Sequence, residues 1–367
     1  PGQSSIRVPV ENRYAFTDFR ELTFAWECNA DKGTVAVALP PAMSGHIEIP
    51  VPAAAKEGDS VRLRITDAKG ELINVLAIQL GQAKPAPLPA ADGGIPRWSE
   101  DDNTILVRGK SYGLVIDRSA GALRADDSRN QAPARQLPAL HLTRFDFGDL
   151  KVAPPYAMLP EADKRVVESV TAREEAEMLA ITVKDRYALF DGAITWRIDA
   201  DGMGTVSYDY SYSGDELFVR EIGVRWLLQP ACDELHWRRW SEWDTFPADH
   251  IGRTEGQAKA RRPAEWPDAP EYVRPRWPWA MDQTELGTND FRGSKFNIYE
   301  ALLTAPDGSG LRVHARADAH VRACLDTQGV AFHVLSTCRL APVVLHRGDQ
   351  VSGRFCVQLT APKAQKN

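Results

Sequence analysis

The residues best suited to chemistry crowd into one stretch of this 367-residue chain. Six of its ten tryptophans, Trp237, Trp240, Trp243, Trp266, Trp277 and Trp279, lie there. Seven arginines interleave with them: Arg238, Arg239, Arg253, Arg261, Arg262, Arg274 and Arg276. A flat indole covers the C–H face of a sugar ring while charged groups take its hydroxyls, so the composition points to carbohydrate. The competing reading is that the tryptophans pin a loop to its scaffold or form an interface with another domain. Six prolines, Pro247, Pro263, Pro267, Pro270, Pro275 and Pro278, exclude a central strand here. The stretch reads as a long excursion that leaves a β scaffold and returns near Asp282. The run Asp282–Lys295 follows, carrying Asp282, Glu285, Asn289, Asp290 and Arg292, which can pre-organise one another or make a solvated turn. Asp249 beside His250 could orient an imidazole or a sugar hydroxyl. The candidates for contact with carbohydrate or with a neighbouring domain are therefore Trp240, Trp243, Asp249, His250, Arg253, Trp277, Trp279, Asp282, Glu285, Asn289, Asp290 and Arg292.

No catalytic residue follows from spacing alone. The eight histidines are scattered, and no pair stands out among the 50 acidic residues. Phosphate loops, GxSxG elbows and HExxH helices are missing from the sequence, so no cofactor and no metal is expected. The five cysteines, Cys28, Cys232, Cys324, Cys338 and Cys356, lack zinc-ligand spacing and read as buried thiols, with a Cys324–Cys338 bridge left open.

The elements that must position these residues are strands. Short alternating runs recur at Val35–Leu39, Ser60–Thr66, Thr104–Arg108, Gly113–Asp117, Ile194–Asp199, Gly204–Ser213, Ile222–Leu228, Gly310–Arg316 and Phe355–Thr360. Val206, Tyr208, Tyr210 and Tyr212 show the period of two most plainly. Turn signals separate the runs at Asp31-Lys32-Gly33, Ala68-Lys69-Gly70, Asp201-Gly202 and Asp307-Gly308. The pattern predicts an all-β protein of sandwich type. Residues 161–179 have helical composition, but Val166, Val167, Val170 and Thr171 favour two strands, Arg165–Ala172 and Met178–Asp185, around a turn at Arg173–Glu177. A stiff Pro-rich linker at 83–96 divides a sandwich of immunoglobulin size (1–82) from a large two-sheet domain (97–362), with a polar tail at 363–367.

A net charge of −6 argues against a nucleic-acid partner. Apolar runs fall far short of the roughly 20 residues of a membrane span, so no membrane partner is expected. The first residue, Pro1, without a Met or a following signal segment, reads as a cut end.

Certain segments resemble a known family. Val10-Glu11-Asn12-Arg13-Tyr14-Ala15-Phe16-Thr17-Asp18-Phe19, continuing to Trp26-Glu27, resembles the start of the domain after the catalytic barrel in β-galactosidases of glycoside hydrolase family 2. Further on, Asp117 to Leu123, Pro138 to Asp146, Phe218 to Gly223, Glu285 to Arg292 and Gly308 to Leu311 resemble, in order, motifs of that family's C-terminal domain. The sequence departs from the family at Trp237–Arg253, and no Trp stands in Phe332–Pro342, where several members carry one near the galactose site.

The resemblance implies an immunoglobulin-like sandwich followed by a galactose-mutarotase-like supersandwich. It also implies that this is the non-catalytic C-terminal region, or small subunit, of a family 2 hydrolase. Both catalytic glutamates of that family sit on a preceding α/β barrel of about 250 residues, a pattern this chain lacks. The implied partners are that barrel, in the same or a companion chain, a carbohydrate, and a second copy in a homo-oligomer. Periplasmic or secreted localisation is slightly favoured by the family. The alternatives are a stand-alone carbohydrate-binding module and a mutarotase-like epimerase using His250 and Glu285 as acid and base.

Overall fold

Residues that alternate apolar and polar place every second side chain on one face of an extended strand, and sheets bury that face. A computed structural model of the chain describes residues 4–81, 87–126, 132–144, 158–159, 164–241, 251–261, 278–284, 287–288 and 292–360. The described residues form an all-β protein in two compact units, with the first made of residues 4–81 and Ser241 and the second of the remainder.

In the first unit, β1 (Ser5–Glu11), β2 (Thr23–Cys28), β3 (Asp31–Val35), β4 (Ser44–Pro50), β5 (Ser60–Thr66) and β6 (Leu72–Gln79) form two antiparallel sheets. One is β1-β4 and the other β3-β2-β5-β6. Both contribute to a single core: Ile47 and Ile49 from β4, Phe24 from β2, Val61 and Leu63 from β5. The segment after β1 is held by its own polar groups. Buried Asn12 donates from Nδ2 to the carbonyls of Thr17 and Leu39 at 2.9 and 2.8 Å, and its Oδ1 accepts from the Tyr14 amide at 3.0 Å. Asp18 and Glu21 form a reciprocal capping box around the short 3₁₀ turn Phe19–Glu21, which seats Phe19 against Phe24 at 5.3 Å.

One turn differs from the sequence expectation. Asp31, Lys32 and Gly33 are part of β3; the chain reverses at Asn29, whose φ of 55° an Asn tolerates. Gly33 is needed instead because it stands opposite Trp26, where a Cβ would come within 2.9 Å of the indole nitrogen. The expected strand Val35–Leu39 ends after its first residue, yet Val37 and Leu39 are still buried in the core.

The second unit opens with β7 (Arg97–Glu100), β8 (Thr104–Arg108), β9 (Gly113–Asp117) and β10 (Leu123–Ala125), a four-stranded antiparallel sheet in the order β10-β9-β8-β7. A 13-stranded antiparallel sheet follows. Its first members are β11 (Ala139–Arg144), β12 (Met158–Leu159), β13 (Val166–Glu175), β14 (Met178–Arg186), β15 (Phe190–Ile198) and β16 (Met203–Tyr212). Next come β17 (Leu217–Leu228), β18 (Glu234–Arg239) and β19 (Glu255–Lys259). A minimal hairpin, β20 (Gln283–Thr284) with β21 (Gly287–Thr288), stands apart from the large sheet. The last strands are β22 (Ser294–Thr304), β23 (Gly310–Asp326), β24 (Gly329–Leu345) and β25 (Gln350–Thr360). The main path runs β12-β11-β17-β24-β23-β25-β16-β15-β14-β13, with β22, β18 and β19 branching from β23.

The turn between β13 and β14 is tighter than the sequence suggested: β14 begins at Met178 as expected, but β13 continues to Glu175, and the reversal is confined to Ala176, at φ 52°, and Glu177. The tyrosines of β16 all face the core. There Trp196 and Trp226 meet edge to face at 5.2 Å. One fully buried carboxylate, Asp185 on β14, gathers Arg165, Tyr187 and Tyr210. Arg165 completes its own bonding with the carbonyls of Leu137 and Pro138, at 3.3 and 3.0 Å. The five cysteines are free thiols, four of them buried.

Candidate functional site

β17 is the strand that gathers chemistry. All of its residues except Phe218 are buried, so both of its faces are covered. Register shifts occur between Val219 and Glu221 and between Ile222 and Gly223 against β24, and between Thr143 and Arg144 on the β11 side. Bulges of this kind re-aim side chains. Arg220 and Glu221, adjacent in sequence, are both buried here.

Around Glu221 the strand order β11-β17-β24-β23 collects groups from four strands. His141 Nε2 on β11 lies 3.0 Å from Glu221 Oε2, with side-chain exposures of 0% and 1%. Arg322 on β23 bonds the same oxygen. Cys338 Sγ on β24 sits 3.6 Å from the other, Oε1. His333, also on β24, sets its ring against His141 at 4.1 Å with a 41° tilt, and its Nδ1 lies 3.8 Å from Cys324 Sγ. Arg225 bonds Asp326 at 2.6 Å on the rim of this cluster.

The electrostatics follow from burial and neighbours. Burial by itself would raise the Glu221 pKa, but the His141 hydrogen bond and the Arg322 charge outweigh it and hold the carboxyl at about 2. Burial pushes His141 down against the pull of Glu221. His333 is pushed well down by burial, then by His141 and the two nearby arginines. At neutral pH the cluster is thus an ionised carboxylate clamped between an arginine and a neutral imidazole, with a second neutral imidazole packed at a tilt behind. Among the described residues, buried His141 Nδ1 and His333 Nε2 have no hydrogen-bond partner. An ionised carboxylate touching a neutral imidazole is the arrangement that proton transfer uses. Here it is shut away from solvent, and the groups tie strands together. Among the described residues no group of three His, Cys, Asp or Glu side chains is arranged to hold a metal ion.

The residues singled out from the sequence fall in three sets. Trp243, Asp249, His250, Trp277, Glu285, Asn289 and Asp290 lie outside the described residues, and so does the suggested His250–Glu285 pair. Trp279 is fully buried and donates its indole N–H to the Asp233 carbonyl at 2.9 Å, while Asp282 ends the 3₁₀ turn that Trp279 begins. Arg292 is buried, and its carbonyl accepts from the Lys295 ammonium at 2.7 Å. That ammonium lies 4.4 Å over the buried Trp237 ring. Trp237 in turn donates to the Arg253 carbonyl at 2.9 Å, and Arg239 bonds the same carbonyl at 3.1 Å. Trp240 remains 47% exposed. The Glu221 cluster was not singled out, since His141 looked like one scattered histidine. Its only sequence signal was that His141 and Glu221 both fall inside segments carrying the family resemblance.

No protein-family model and no curated protein matches this sequence. Solved structures align with it distantly. One is an active YidC insertase with its first transmembrane domain resolved, at 9% identity and a TM-score of 0.27, covering 74% of this chain; the chain spans only 42% of the insertase's length. Another is a protein assigned as an aldose 1-epimerase, from Escherichia coli K12, at 10% identity and a TM-score of 0.34, covering 72% of this chain and 98% of that one. Neither likeness bears on activity.

Proposed function

We propose that the chain is the ancillary, non-catalytic β region of a family 2 glycoside hydrolase, β-galactosidase-like, which packs on a catalytic barrel and shapes its carbohydrate site. The barrel belongs to the same polypeptide or to a companion chain. The observation that carries this reading is the meeting of His141 and Glu221 at 3.0 Å. They come from two resemblance segments 80 residues apart, and those segments pair residue for residue, His141 with Gly223 and Leu142 with Ile222. The first-unit motif supports it in the same way. Asn12, Asp18 and Phe19 are spent on holding the chain, whereas Phe16 is left 94% exposed, as an aromatic awaiting a partner would be.

The mass of the native polypeptide in its source cells, read with an antibody against this chain, tests the proposal. A mass larger by at least a barrel, or a companion barrel chain in the same complex, is expected. A free chain near 40.6 kDa without such a companion would overturn it, as would turnover of a chromogenic β-glycoside by the purified chain.

A further inference from the structure

Three sulfur side chains meet on the face of the large sheet that turns away from the main core. Cys356 on β25 stands opposite Thr205 on β16, so it shares a face with Met203, two positions before Thr205. Met178 opens β14 and faces the same way, because its neighbour Leu179 points into the core. Cys356 and Met203 are 8% and 6% exposed, yet neither belongs to a core cluster. They line a cavity of about 430 Å³ together with Met178, Leu88, Pro89 and Arg354.

The donor set of this cavity is selective. The chain has five methionines and five cysteines, and three of these ten sulfurs line this one cavity. Among the described residues lining it there is no carboxylate and no imidazole. Calcium and magnesium need oxygen ligands, and zinc takes thiolate, imidazole or carboxylate. Thiolate with thioether selects copper(I). The Cys356 thiol donates to Met203 Sδ at 3.9 Å. Three sulfurs about 2.3 Å from one ion, the distance of thiolates from zinc, stand about 4 Å apart in a trigonal plane. Cys356 and Met203 are therefore already spaced as two ligands of one ion, and the unbranched, pliable side chain of Met178 can close the third side. Burial raises the Cys356 pKa, and the charge of Arg354 pulls it back. A thiolate with a monovalent cation is neutral, whereas a divalent one would leave a net positive charge in an apolar cavity beside that guanidinium.

We propose that Met178, Met203 and Cys356 form a site for a soft monovalent cation, copper(I). The ion takes the place of the thiol proton, which leaves to solvent; a copper–sulfur bond forms as the sulfur–hydrogen bond breaks, and no electron is transferred. The ligands come from β14, β16 and β25, so no motif along the sequence announces the site. The site does not depend on the hydrolase reading.

Competition with bicinchoninate, run anaerobically on the full chain, tests this. The chain should strip one equivalent of copper(I) from the coloured bicinchoninate complex, and an equal concentration of zinc should not prevent it. Cys356→Ala keeps the other four cysteines and should weaken that binding at least ten-fold. Met203→Leu conserves volume, so the fold tolerates it, and it too should weaken binding at least ten-fold. X-ray absorption should show sulfur alone around the copper. Failure of the unmodified chain to take copper would overturn the proposal. Unchanged affinity in Cys356→Ala would assign the copper to other thiols, and unchanged affinity in Met203→Leu would reduce the site to a thiol alone; either overturns it, as does a shell of nitrogen or oxygen. None of these outcomes alters the native-mass test above, so the two readings fail separately.

Discussion

Asp185 and Glu221 are both carboxylates sealed in the same core, each with an arginine at its side, yet they are driven in opposite directions. Burial dominates at Asp185 and raises its pKa despite Arg165 and the two tyrosines, whereas partners dominate at Glu221 and hold it at about 2. The neighbours explain the contrast. Arg165 is also bonded to two backbone carbonyls, and Tyr187 accepts from the Leu140 amide at 3.1 Å, so the Asp185 network closes without demanding a full negative charge. Glu221 receives His141 and Arg322 on a single oxygen. The imidazoles beside it each keep one nitrogen without a hydrogen-bond partner among the described residues. The difference teaches that an equally buried carboxylate can be a satisfied tie in one place and a poised charge in another.

The largest test of this contrast is isosteric neutralisation. Glu221→Gln removes the carboxylate charge that Arg322 and His141 share, and breaking a buried pair costs about 3–5 kcal/mol. Asp185→Asn likewise deprives a buried guanidinium, Arg165, of its carboxylate, but it deletes a charge that burial opposes, so its loss should be the smaller of the two. Urea denaturation reads both values, and equal losses would erase the distinction.

The next test is pH. The folded-state pKa values of His141 and His333 lie below 6.5, so the unfolded chain binds more protons as pH falls. Stability is then fully present above pH 6.5 and declines below it, by up to about 1.4 kcal/mol per pH unit for each histidine. Glu221 adds a second loss as pH drops from 4.5 toward 2. Asp185 has the opposite sign, because its raised pKa makes protonation in acid easier in the folded state than in the unfolded one. His333→Asn should remove its share of the slope below pH 6.5; an unchanged urea midpoint profile would show that His333 is not held neutral.

The smallest effect is expected from His333→Phe. It keeps a ring against His141 and deletes both nitrogens, Nε2, which has no hydrogen-bond partner among the described residues, and Nδ1, which makes a weak 3.8 Å approach to Cys324 Sγ, so stability should shift by about 1 kcal/mol or less, in either direction. A loss of several kcal/mol would mean that Nε2 has a role that the geometry does not reveal.

How much of this was legible depended on range. The strand Ser60–Thr66 forms with the limits its alternation implied, and the turns at Gly70, Gly202 and Gly308 take φ of 84°, 85° and 93° as their position after Lys69, Asp201 and Asp307 suggested. Val35–Leu39 misled because alternation marks burial, and Val37 and Leu39 are buried without being paired. Gly33 misled because a glycine signals either a turn or a close approach, and here Trp26 was the reason. The Trp/Arg stretch was visible as composition, but not that Trp237 and Trp279 spend their indole N–H groups on backbone carbonyls.

By itself, then, the sequence determined the all-β class, most strand positions and the turns, because the period of two and the glycine torsions are local properties of the backbone. The tertiary structure alone decided that Glu221 meets His141 across 80 positions and Arg322 across 101. Those meetings follow from the order of β11, β17, β24 and β23 in the sheet and from the bulges beside Glu221. The physical reason is that strand order is chosen by the packing of the whole core, and no spacing along a single strand encodes it.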